Sequence, residues 1–341
     1  MAGMYSNQSS SSTTVIVVVV AIAATLLLAN SMLDHPILPL LPPGIGTVTT
    51  TPTTTIRPPP ENLTAHEPIV IIGNEDFQHQ ADNNNWSGDG SASNPYIIEG
   101  YVIESSEICI NIMYTTLYFE IRYCSFSCPE PEPFGGMGVN IWEADNGLVD
   151  SCTFREMEWG VNLFITDNCD VRRCDIEAGW IGVNVSYSSV TFVADNTIQG
   201  GDYAVFVDQS TTFAVLENNL CLTNCGLAVW GSTGGVLRHN NVSYNDAGIE
   251  VLGSSEEIAF ETNWVIHNSG IGIDLGVGTS SCLLFDNQIG WNGGGNALDN
   301  GLENYWDNGE IGNAWSDYEG SGVYVIPGSG ESVDNFPSLI V

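Results

Sequence analysis

Lysine is absent from this 341-residue chain, and six arginines are its only basic residues apart from histidine. Against them stand 41 acidic residues, for a formal charge of −35 at pH 7. A surface of that sign repels phosphate backbones and anionic head groups, which excludes nucleic acid as a partner. An anionic polysaccharide could approach only through bridging cations. The cysteines lack paired C-x2-C spacing, so a structural zinc site is not expected. The nine cysteines are odd in number and leave at least one thiol unpaired within a monomer.

What the chain does have is strongly zoned. Val15 to Leu33 is almost wholly apolar. As a helix it would be about 28 Å long, close to the thickness of a bilayer core. Small residues at its end (Ala29, Asn30, Ser31) also suit signal-peptide cleavage. Residues 1–33 are therefore expected to be a transmembrane anchor or a signal peptide, and either exports the remainder of the chain. Residues 34–67 contain Thr49 to Thr55, broken only by Pro52, and Pro58-Pro59-Pro60. Such a segment cannot bury a core and reads as a disordered stalk holding a domain away from its anchor. The expected location is the cell surface, membrane-anchored and extracellular, or secreted if the N-terminal segment is cleaved.

From Gly138 a repeat sets in, with coils opening at Gly138, Gly160, Gly182, Ala204, Gly226, Gly248 and Gly272. The second and fourth residues of each opening are aliphatic: Val139/Ile141, Val161/Leu163, Val183/Val185, Val205/Val207, Leu227/Val229, Ile249/Val251 and Ile273/Leu275. Period-2 alternation within a repeat of about 22 residues, without a 3.6-residue period, predicts an all-β solenoid of stacked coils. The coils should span 97–303, between an N-terminal cap over 68–96 and a C-terminal cap over 304–341. The fifteenth-position row Cys124, Cys152, Cys174, Asn196, Asn218, Asn240 should face inward, its amides bonded to the next coil.

The flanks carry a more specific signal. Trp86-Ser-Gly-Asp-Gly-Ser-Ala-Ser-Asn-Pro-Tyr-Ile-Ile-Glu-Gly100 and Asn304-Tyr-Trp-Asp-Asn-Gly-Glu-Ile-Gly-Asn-Ala-Trp-Ser-Asp-Tyr318 resemble the entry and exit motifs of archaeal surface proteins with NosD-like repeats, the carbohydrate-binding and sugar hydrolase (CASH) class. The resemblance implies a right-handed parallel β-helix and implies activity only weakly, since this solenoid hosts enzymes and inert binders alike. Ala314 stands where relatives carry an aromatic, and no Asp-rich stretch comes after Tyr318, which weakens an implied calcium site at this end. Scarce histidine and dispersed methionine argue against a copper role.

Several rows on the outward face could carry chemistry. Trp142, Phe164 and Trp230, beside Asn140 and Asn162, suit a glycan: rings stack on sugar faces while amides take hydroxyls. Glu250 and Asp274, with Asp208 nearby, match the carboxylate spacing of a retaining glycosidase. The fourteenth-position row Arg173, Asp195, Glu217, His239, Glu261 reads first as cross-coil ion pairs. Its sharper reading is a divalent cation, such as calcium, held by Glu217, His239 and Glu261; no other cofactor is expected. Asn62, Asn85, Asn184 and Asn241 begin glycosylation sequons, and Asn184, counted as outward, should tolerate Asn184→Asp. The functional expectation is a non-catalytic surface β-helix that binds glycan or a neighbouring envelope protein. The alternative is a polysaccharide-cleaving enzyme working through the acidic residues of the first-strand face.

Overall fold

The computed structural model describes residues 62–129 and 135–340. The expected anchor, and the stalk up to residue 61, lie outside the described residues. Among the described residues no helix is long and apolar enough to cross a membrane. The chain winds through coils of three short strands, of which Tyr203–Asp208, Thr211–Leu216 and Asn219–Cys221 are one set. Equivalent strands of successive coils pair in parallel and build three sheet faces; the first and third are joined into one 20-stranded sheet by two shared strands, and the second has nine strands. The first sheet runs from Ile69–Ile72 to Gly295–Asp299, the second from Tyr96–Glu99 to Leu283–Phe285, and the third from Thr64–Ala65 to Ser338–Leu339. In two coils the third strand runs straight into the first, as Thr153–Phe164 and Asp175–Ser186.

The alternating aliphatic positions form the core. Val183 pairs with Val205 and Val185 with Val207 in register, and all four are withdrawn from solvent, as are the equivalent residues from Val139 to Leu275. Each buried aliphatic side chain contributes roughly 1.5–3 kcal/mol, and each coil covers the apolar face of the next. Glycine opens most coils because the neighbouring rung passes too close there to leave room for a side chain. A Cβ on Gly182 would lie 2.3 Å from Ile198 and 2.6 Å from the carbonyl oxygen of Ala204.

The fifteenth-position row faces inward as its spacing predicts, and it continues through Asn263, Asn287 and Asn313. Asn218 shows the pattern. Its Oδ1 accepts from the backbone N–H of Asn196 at 2.9 Å, and its Nδ2 donates to the carbonyl of Val193 at 2.8 Å. Cys124, Cys152 and Cys174 fill the same row as small buried thiols. All nine cysteines are free, so neither Cys169 and Cys174 nor Cys221 and Cys225 are bridged. A second amide row, Asn245, Asn268 and Asn292, closes another corner in the same way.

Both ends are covered. The helix Gly73–Asn84 lays Phe77 against Tyr96 and Phe119, with ring centroids 5.1 and 5.4 Å apart. At the other end Trp306 and Trp315 are fully buried, and Tyr324 stacks on Trp315 at 4.0 Å. Two expected boundaries shift. Thr64–Ala65 already pairs with Tyr101 and Val102, so ordered structure begins inside the span read as stalk. Ala314–Trp315 and Ser338–Leu339 extend the third sheet, so residues 304–341 add rungs as well as a lid.

Candidate functional site

The outward face of the first sheet carries three adjacent rows. The central row is Asn111, Asn140, Asn162, Asn184, Phe206, Ala228, Glu250 and Asp274. On one side run Trp142, Phe164, Ser186, Asp208, Trp230 and Leu252; on the other run Tyr203, Cys225 and Ala247.

Parallel pairing sets Glu250 directly beside Asp274, and both are half-buried. Burial first, and the Asp274 carboxylate second, push the Glu250 carboxyl above its ordinary range. Burial and then the Asp299 carboxylate do the same to Asp274. Asp274 Oδ1 is buried and accepts no hydrogen bond from protein, so this corner holds acceptor capacity that the coil does not use. Tyr203 and Cys225 complete the surroundings. Burial, then the Glu250 carboxylate, raises the Cys225 thiol. Burial, then Cys225 and Glu250, raises the Tyr203 phenol. The repeat count missed Tyr203 and Cys225 because both precede the small residue that opens a coil. Asp208 stands apart, in register between Ser186 and Trp230, and burial alone lifts its carboxyl.

The aromatics fall into two groups. Trp142 meets Phe164 edge-on at 6.0 Å, and Phe164 meets Tyr187 at 5.6 Å. Farther along, Phe206 lies 5.0 Å from Tyr203 and 5.8 Å from Trp230. Trp142 and Trp230 are each 40% exposed. The second group flanks the acid pair.

Three expectations for individual residues need correction. Asn140 and Asn184 face outward but are only 6% and 4% exposed. Their amides are spent on one another: Asn184 donates to Asn162, Asn162 to Asn140 and Asn140 to Asn111, at 2.7, 2.7 and 2.8 Å. Of this row's glycan candidates, Asn162 alone keeps a partly open amide. Asn184 is therefore inaccessible as a glycosylation acceptor in the folded coil, whereas Asn62 and Asn85 are exposed and Asn241 is half-buried. The row read as a cation site also falls out of register. Glu261 aligns with Arg238, 3.9 Å away, and not with His239. His239 lies 3.9 Å from Glu217, and burial, then Arg238, lowers its pKa. Among the described residues no group of three His, Cys, Asp or Glu side chains could hold a metal ion.

The family model for the right-handed β-helix region matches residues 70–220, 108–265 and 181–311. The chain is a member of the right-handed β-helix family. Among solved structures it is similar to the periplasmic alginate epimerase AlgG in a mutant form, with 13% identity, TM-score 0.53, and 81% of this chain and 85% of that one covered. It is also similar to the Azotobacter vinelandii mannuronan C-5 epimerase AlgE4 A-module, with 16% identity, TM-score 0.52, and 71% and 78% covered. At these identities the likeness is one of fold. No curated protein matches the sequence.

Proposed function

We propose that this β-helix acts on a polysaccharide at the outward face of its first sheet, with Glu250 and Asp274 as the acid pair. The observation that carries the reading is that pair: two carboxyls in register, both with raised pKa, one with a buried and unpartnered oxygen. Strand spacing sets adjacent rungs about 4.8 Å apart, near the roughly 5 Å separation of a retaining glycosidase pair. Glu250, whose carboxyl is raised partly by its neighbour, is the natural proton donor; Asp274 is the carboxylate that meets the sugar. Phe206 and Trp230 supply the apolar wall beside them. No lysine or arginine lies in the three rows, which favours a neutral chain and acid–base hydrolysis over proton abstraction by a basic residue. The names of the two structural relatives, epimerases of alginate and mannuronan, support carbohydrate chemistry on this scaffold. The entry and exit motifs support the narrower NosD-like, CASH-type affiliation.

The test is release of reducing ends from a panel of neutral polysaccharides, with Glu250→Gln and Asp274→Asn as controls. Turnover abolished in both variants with binding retained is the expected result. Binding without turnover in the wild type, lost in Trp142→Ala/Trp230→Ala, would return the protein to the non-catalytic reading.

A further inference from the structure

The third sheet carries aromatic residues that neither the core nor the acid pair uses. On its outward side Asn219, Asn241, Trp264 and Gln288 form a row in register. Two residues along, Cys221, Ser243, Ile266 and Gly290 form the next row. There the coil turns, and the corner residues of the same rungs are Leu222, Tyr244, His267 and Trp291. Glu250 and Asp274 lie on a different face, that of the first sheet.

Burial does not account for these rings: Tyr244 is 64% exposed, Trp264 51% and Trp291 53%. The turn does not account for them either. Tyr244, His267 and Trp291 take left-handed φ of 61, 58 and 54°, a conformation that costs glycine or asparagine less than a ring-bearing residue. What the corner rings do is stack. His267 lies 5.5 Å from Tyr244 and 5.2 Å from Trp291, with interplanar angles of 15° and 13°. Stacking covers the ring faces within the column and leaves the edges to solvent. Those edges carry the Tyr244 hydroxyl, the His267 ring nitrogens and the Trp291 N–H, none of them hydrogen-bonded among the described residues. Across a row kept low by Ser243 and Gly290 stands Trp264, with an amide on the rung to either side. Asn241 donates to Asn219 at 2.8 Å, which keeps its own side-chain oxygen open as an acceptor. Gln288 spends its amide on no partner among the described residues.

We propose that this face is a second carbohydrate-binding surface, for a neutral polysaccharide, and that it works independently of the acid pair. A sugar has apolar C–H faces and a rim of hydroxyls, so it needs an exposed ring and hydrogen-bonding groups together. Trp264 supplies the ring. Asn241, Gln288 and the edges of the corner column supply partners for the rim. Rungs recur about every 4.8 Å, close to the length of one hexose in a chain, so successive sugars meet successive rungs. A lipid tail or an aliphatic protein segment would leave these donors and acceptors unpaired, at a cost in affinity. An anionic chain would meet exposed acids: Asp246, two residues after Tyr244, and Asp286, two before Gln288. No arginine stands in these rows to offset them.

Native gels of the full chain, cast with a soluble β-glucan, mannan or xylan, test the proposal. At least one polymer should retard the wild type. Trp264→Ala should raise the apparent Kd about tenfold, the factor that corresponds to 1.4 kcal/mol, and Trp264→Phe should recover most of the loss. Because Trp264 is half in solvent, both variants should keep the circular dichroism of the folded coils. In the Trp142→Ala/Trp230→Ala background, retardation should persist and then vanish when Trp264→Ala is added. Retardation lost in that background alone and untouched by Trp264→Ala would overturn this surface and leave the first-sheet reading standing. Retardation that persists in a protein without turnover would do the reverse. No retardation in any gel would overturn the proposal. So would a dimer in analytical ultracentrifugation that Trp264→Ala dissolves, since the face would then belong to a second copy of the chain.

Discussion

Glu250 and Asp274 occupy matched positions on neighbouring parallel strands, so the carboxylate of one is the nearest like charge to the other in that row. Both carboxyls are raised in the folded protein, mainly by burial. A carboxyl with a folded pKa above its unfolded value stabilises the fold only at low pH. That contribution is fully present below the unfolded pKa and is lost as pH rises through the folded one.

Glu250→Gln and Asp274→Asn should therefore raise the melting temperature at pH 7. The gain should fade as pH drops below about 4, where the unfolded carboxyls also hold their protons. Thermal melts at pH 4 and pH 7 measure it. A lower melting temperature at pH 7 would mean that the ionised pair supports the coil, and the strain expected of a functional site would be missing.

The inner amide row should be far less tolerant. Asn218→Ala strips an acceptor from the buried N–H of Asn196 and a donor from the carbonyl of Val193. Each orphaned group costs about 1–3 kcal/mol, and the loss passes to neighbouring coils through their contacts. Urea denaturation reads the change. A loss under about 0.5 kcal/mol, the size of an ordinary surface substitution, would show that the row is decoration.

The core was legible because its signal is period-2: Val183 and Val185 declare their face by alternation alone, and the Asn196–Asn218–Asn240 row by its spacing. The site was legible only in part. Glu250 and Asp274 emerge from the coil count. Glu261 was misaligned because an extra residue between Leu252 and Glu256 moves it from beside His239 to beside Arg238. Asn184 was misread for another reason. Facing outward is a property of the strand, while exposure depends on neighbours, and here Asn162 and Ser186 engage the amide. No local pattern in the sequence reports that.

Asn184→Asp accordingly should not be silent. The new carboxylate replaces a donor to Asn162 Oδ1, setting oxygen against oxygen in a buried position. A cost of about 1–3 kcal/mol is expected at neutral pH, reduced in acid when the group can again donate. Val185→Asp, one residue along and inside the coil, should cost more, because its charge has no partner in the core. Equal losses in the two variants at pH 7, measured by denaturant titration, would contradict the buried-ladder geometry.

The C-terminal lid offers the sharpest test of how the stack ends. Asp334 is fully buried, accepts from Trp315 Nε1 at 2.9 Å and from the Asn313 N–H at 2.7 Å, and so ties the lid to the last inner amide. Asn313 in turn accepts from Asn287, which carries the row down into the coils. Deleting residues 304–341 removes Trp306, Trp315 and Asn313 together. It bares the apolar rung at Leu284 and Ile289 and leaves unpaired strand edges, a template for association between chains. The truncated protein should aggregate, visible as light scattering at concentrations where the full chain is clear. Asp334→Ala keeps the lid in place but strands two buried donors, so it should lower stability by about 2–6 kcal/mol without aggregation at room temperature. A monomeric, fully stable truncation would mean that the coils close themselves at Gly295–Asp299 and that the lid serves another purpose.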